Sequence, residues 1–111
     1  MISIKKTLKA IASNFQDSGW NAVNKYLLYR KIGNTVYLRI DSYGELFINS
    51  AGVNIGILPE GFRPLSRKSV IITPKGGSVL FTIYIEPNGN VNGFSSATSN
   101  YFEGDISFII N

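Results

Sequence analysis

Apolar positions along this chain follow two different periods. Met1, Ile4, Leu8, Ile11 and Phe15 recur at spacings of three, four, three and four, the a/d period of a helical stripe, with Lys5, Lys6 and Lys9 off the seam. A lone helix of roughly 15 residues is marginal in water, so this stripe must be buried, either against other copies of the chain or on its own domain. Leucine at a with isoleucine at d leans toward three or four strands rather than two. Asp17-Ser18-Gly19 predicts the end of the helix, glycine being common just past a helix terminus. Trp20 is expected to plug the base of the domain that follows, with a sugar-stacking platform as the alternative.

Beyond Trp20 the period drops to two. Residues 26–32 and 35–41 flank Gly33-Asn34, a glycine-first pair suited to a tight primed turn. That hairpin sets Ile32 opposite Thr35 and gathers Leu27, Tyr29, Val36, Leu38 and Ile40 on one face. The other face carries Tyr26, Leu28, Arg30, Tyr37, Arg39 and Asp41. Tyr and Arg are enriched at protein interfaces, so Tyr26, Arg30, Tyr37 and Arg39 are assigned to a subunit contact. Ordinary amphipathic surface is the competing reading. A short strand is predicted at residues 45–49 and a weak one over 50–58 around Val53, Ile55 and Ile57, followed by strands at 68–73, 78–86 (the long core strand), 90–94 and 105–110. In the strand at 78–86, Val79, Phe81, Ile83 and Ile85 face inward and Leu80, Thr82, Tyr84 and Glu86 outward. Pro59 and Pro64 stiffen the loop at 58–64. Seven or eight short strands separated by turns predict an all-β fold, an antiparallel β-sandwich or a Greek-key, jelly-roll-like barrel. The expected organisation is a helical neck over 1–18 and one β head over 19–111.

The chemistry narrows the function classes. The chain has no histidine and no cysteine, which removes the commonest general base, thiolate nucleophiles, disulfides and thiolate metal sites. No phosphate-binding glycine motif, zinc-finger spacing or calcium-loop pattern is present, and no cofactor, metal site or catalytic residue is assigned. The net charge of +4 is spread along the chain without a basic run, so no nucleic-acid partner is expected. No apolar run approaches the ~20 residues of a membrane span, and residues 1–6 lack the pattern of a secretory leader. Asp41, Glu45, Glu103 and Asp105 leave glycan hydrolysis by paired carboxylates as the one enzymatic alternative. Binding is the stronger reading. Turn asparagines near aromatics offer planar amides and ring faces, the chemistry that holds saccharides. Tyr43, Glu45, Asn92, Asn100 and Tyr101 are the candidate ligand residues.

Gly19-Trp20, then Tyr29-Arg30-Lys31-Ile32-Gly33-Asn34-Thr35-Val36, then Leu58-Pro59-Glu60-Gly61-Phe62-Arg63-Pro64 follow one another along the chain. Ile85-Glu86-Pro87-Asn88-Gly89-Asn90-Val91 and Gly104-Asp105-Ile106-Ser107 complete the series. In order and spacing this set resembles the C-terminal neck and head region of tail-tip and baseplate receptor-binding proteins, from siphophages and prophages of Gram-positive hosts. The resemblance implies a homotrimer on a helical neck, a β head that binds host cell-wall saccharide without catalysis, and other tail or baseplate proteins as partners. It implies a place at the virion tail tip after synthesis in the host cytoplasm, with no membrane partner. Members are usually longer at the N-terminus, so the chain is expected to be a neck-plus-head piece or a shortened relative. The motifs carry over no particular binding residue. A purely structural trimerising tip is the second reading.

Overall fold

A computed structural model describes residues 16–72 and 79–110. The expected neck stripe at Met1, Ile4, Leu8, Ile11 and Phe15 lies outside the described residues, as do Thr73 and Ser78 at the ends of two predicted strands and the turn between them. Within them the chain is all β: β1 (Asn21–Asn24), β2 (Leu27–Ile32), β3 (Thr35–Asp41), β4 (Val53–Ile57), β5 (Lys68–Ile72), β6 (Phe81–Ile85), β7 (Asn90–Ser95) and β8 (Glu103–Ile109). They form two antiparallel four-stranded sheets, ordered β1-β2-β3-β8 and β4-β7-β6-β5. In the second sheet β5, β6 and β7 follow one another and β4 lies beside β7, which is a Greek-key order.

The two sheets meet over a shared apolar layer because the strands alternate. Gly33 adopts φ 59, as the first residue of the predicted turn requires, and Ile32 pairs with Thr35. From that register Leu27, Val36, Leu38 and Ile40 are fully buried, and β6 sends Phe81, Ile83 and Ile85 into the same core. Each such side chain contributes about 1.5–3 kcal/mol relative to an exposed one. Val79 packs on the edge of this core, while Leu80 is exposed. Across the layer the sheets come close at Gly104 of β8, where an added Cβ would lie 2.9 Å from Ile72 of β5.

A lock closes the connection at residues 58–64. Leu58 N–H donates to Gly89 O at 2.8 Å, and Arg63 Nε donates back to Leu58 O at 2.8 Å. Phe62 sets its ring edge-on to Tyr29 at 4.7 Å, and Lys31 Nζ donates to Gly61 O at 2.8 Å. Gly89 lies within the 87–90 turn at φ 93, where a Cβ would stand 2.5 Å from Leu58 O. Only glycine fits there.

Several expectations need correcting. Residues 45–49 are not a strand: the Glu45 and Leu46 amides both donate to Ser42 O, leaving Ile48 a single bridge to Ser99. Ile48 is nevertheless buried, so the alternation reported burial correctly while the backbone bonds went to a turn. The edge strand β1 has no apolar alternation to announce it. The Asn24 side chain holds it, accepting from the Tyr26 and Leu27 amides and donating to Ile55 O at 2.7 Å. Residues 16–18, assigned to the end of the neck, run extended beside β2: Ser18 N–H donates to Lys31 O and Gly33 N–H to Gln16 O. Trp20 is not a buried plug. It is 39% exposed, with Arg39 at 4.8 Å and Arg30 at 5.8 Å from its ring on the outer face of the first sheet.

Candidate functional site

Where β3 ends and β8 begins, Ser42 ties two segments together. Its side chain is buried, donating from Oγ to Asn100 O at 2.6 Å and accepting from Phe102 N–H at 3.1 Å. Its amide donates to Phe102 O at 3.0 Å. The Asn100 side chain returns the connection, Nδ2 donating to Gly44 O at 2.7 Å. Segments 41–45 and 100–103 are thereby held as one unit.

The turn in that unit is unusual in its chemistry. Glu45 N–H donates to Ser42 O at 2.8 Å, and the residues between, Tyr43 and Gly44, adopt φ 50 and φ 69. Two consecutive positive φ values define a type I′ turn, whose first position favours Asn, Asp or Gly. Tyrosine there carries a strain of about 1–2 kcal/mol. Asp41 Oδ1 steadies it by accepting from Tyr43 N–H at 2.8 Å. The strained residue is 55% exposed, and Tyr101 across from it is 61% exposed. Neither ring stabilises the core.

Between them lies a cleft of about 200 Å³, bordered by Asp41, Ser42, Gly44, Phe102 and Glu103 as well as the two tyrosines. Asp41 and Glu103 are direct cross-strand partners, a placement that like charges disfavour. Among the described residues neither forms a salt bridge. The cleft thus combines carboxylate acceptors and phenol hydroxyls with exposed ring faces. That set can take the hydroxyls of a polyol and stack on its apolar ring face. Among the described residues no group of three or more potential metal ligands occurs.

Of the candidate ligand residues, Tyr43, Asn100 and Tyr101 converge here, with Asn100 acting through the loop it braces. Glu45 sits on the flank with both carboxylate oxygens held by Lys25 Nζ at 2.7 Å. That bond pulls its pKa down, and the same ammonium lies 5.4 Å from the Tyr43 ring. Asn92 is elsewhere, on the outer face of the second sheet beside Asn54. The proposed contact residues divide as well. Arg30, Tyr37 and Arg39 share the outer face of the first sheet with Trp20, whereas Tyr26 is half-buried with its hydroxyl 3.3 Å from Glu45 Oε2. Arg39 pairs with Asp105, and Arg30 grips both oxygens of Asp17. This hydrogen bonding, with the Gly19 amide, holds the Asp17 carboxyl down at about 2.

Sequence reasoning missed Ser42 as the brace and took Asp41 and Glu103 only as possible hydrolytic acids. Their pairing follows from β3 lying beside β8, a long-range neighbour that no local pattern encodes. No family model matches the chain, and no curated protein matches it either.

Proposed function

We propose that this chain is a non-catalytic, saccharide-binding head from a phage tail tip or baseplate, acting as a homotrimer on bacterial cell wall. The observation that carries the binding half of this reading is Tyr43: an exposed ring kept in a strained backbone conformation, facing a second exposed tyrosine across a carboxylate-lipped cleft. Backbone strain that adds nothing to the core is characteristic of sites that meet a ligand. Tyr43 and Tyr101 provide stacking surfaces, and Asp41 and Glu103 accept hydrogen bonds from sugar hydroxyls.

Such a shallow site binds weakly, with Kd near ~1 mM, about −4 kcal/mol. Three heads on one axis, and many trimers on one tail, raise the effective concentration enough for firm attachment. The stripe at Met1, Ile4, Leu8, Ile11 and Phe15 supplies the seam in this reading. The Trp20, Arg30, Tyr37 and Arg39 face supports it with the residue types that dominate interface energetics. The sandwich-like body is then the head, beside other tail or baseplate proteins.

Two measurements test the proposal. Light scattering is expected to give a mass near three chains, and a monomer across the working concentration range contradicts the assembly. Purified Gram-positive cell-wall polysaccharide is expected to retain the wild-type protein and to release a Tyr43→Ala/Tyr101→Ala variant. Equal retention of the two proteins removes the cleft from the account and leaves a structural tip.

A further inference from the structure

The outer face of the second sheet carries an arrangement that the cleft does not use. Strand register places Asn54, Asn92, Tyr84 and Ser69 in a single row across β4, β7, β6 and β5. Neighbouring strands lie about 4.8 Å apart, so the row presents a polar or aromatic side chain at each step over roughly 14 Å. One step is close to the length of one pyranose ring. The amides in the row are already ordered: Asn54 Nδ2 donates to Asn92 Oδ1 at 2.9 Å and to Asn90 Oδ1 at 3.2 Å. Among the described residues, the Nδ2 groups of Asn90 and Asn92 donate to nothing, and the Tyr84 hydroxyl has no partner.

The surroundings are equally ordered. Tyr84 and Phe94 meet edge to face at 5.4 Å, and the Arg67 guanidinium lies 5.1 Å from the Tyr84 ring. Arg67 also pairs with Glu86 at 2.5 Å, so the groove has polar charge-bearing walls and no net charge. Its volume is about 410 Å³, and it lies open along the sheet. A neutral groove neither attracts a polyanion nor selects a cation. Side chains fixed by one another before binding lose little entropy on binding.

We infer that this face is a second saccharide site, for a neutral, extended polysaccharide lying across the strands. Vicinal hydroxyls would bond the Asn54 and Asn92 amides and the Arg67–Glu86 pair, with sugar rings against Phe94 and the free edge of Tyr84. The inference is independent of the Tyr43 cleft, with which this face shares no residue.

The test is a titration of the isotope-labelled full chain, followed residue by residue by NMR. The probes are neutral linear tetrasaccharides (β-1,4-linked glucose, β-1,4-linked N-acetylglucosamine and β-1,3-linked galactose), their disaccharides, and polyglycerol phosphate as an anionic control. At least one tetrasaccharide is expected to shift the Asn54, Tyr84 and Asn92 signals, and to bind about ten-fold more tightly than its disaccharide. The shifts are expected to persist in the Tyr43→Ala/Tyr101→Ala protein. Tyr84→Ala and Asn92→Ala are each expected to weaken the binding about ten-fold, with core signals such as those of Phe81 and Leu38 unmoved. No shift on this face with any tetrasaccharide overturns the inference, as do shifts caused only by polyglycerol phosphate or only by raising protein concentration. Failure of the cleft reading alone looks different, with shifts at Asn54, Tyr84 and Asn92 and none at Tyr43 or Tyr101.

Discussion

Toward the Lys31 end of the β2–β3 hairpin, residues 58–64 and Gly89 form one loop cluster; toward the Asp41 end, residues 41–45 and 100–103 form another. Both use glycine at positive φ, aromatic rings and a side chain that hydrogen-bonds backbone. At the first, Phe62 packs on Tyr29 and Gly89 admits no side chain at all. At the second, the strained position holds a tyrosine, and both its ring and that of Tyr101 face solvent. The first cluster uses the conformational freedom of glycine, without strain, to reach close packing. The second gains nothing for stability from its strain, which is what marks it as the candidate site.

Four substitutions or conditions sharpen that contrast, in falling order of effect. Gly89→Ala places a Cβ 2.5 Å from Leu58 O at φ 93, combining left-handed strain with overpacking. It is expected to cost about 3 kcal/mol in denaturant unfolding, and a cost below about 1 kcal/mol would show that the lock is loose. Ser42→Ala removes the buried brace and leaves the Phe102 amide and the Asn100 carbonyl each short of a partner. A loss of about 2 kcal/mol is expected, together with weaker saccharide binding because the cleft walls separate.

Tyr43→Asn has the opposite sign. It puts the favoured Asn-Gly pair into the type I′ turn and relieves strain, so unfolding should become harder by up to about 1 kcal/mol. Saccharide retention should fall even though the fold is firmer. The smallest effect is at Asp17. Its folded carboxyl is depressed to about 2 from an ordinary 3.8, so the Arg30 pair stabilises the protein above that ordinary value and the stability is lost as pH falls through about 2. Amide exchange at Ser18 and Gly33 is expected to report the loosening first, because those amides hold the lead-in segment to β2 and beside it. Asp17→Asn should remove most of that pH dependence.

Local pattern made the hairpin register legible, although Tyr26, read as its first outward residue, precedes β2 and packs half-buried on the core. Gly33-Asn34 set the turn, and alternation then set every inward side chain from Leu27 to Ile40. The inward face of β6 and the bounds of β3 were equally readable, whereas the weak strand read over 50–58 forms only at Val53–Ile57. Trp20 was misplaced because a large ring beside a turn reads as core, whereas two arginines on the outer face give it a partner in the open. The 45–49 segment kept its alternation but lost its ladder to Ser42. Tyr43 and Tyr101 were legible as aromatics near turns. Their convergence required the β3–β8 pairing, which joins residues about 60 positions apart. Asn92 was grouped with them through composition, and register carried it to the other sheet.

The claim on which the account depends is that Tyr43 keeps its strained place for the sake of a ligand. Comparing the retention of wild-type and Tyr43→Asn proteins on immobilised Gram-positive cell-wall polysaccharide, alongside their unfolding curves, tests it directly. The account predicts a variant at least as stable as wild type that no longer binds. A variant that is equally stable and equally well retained would contradict it.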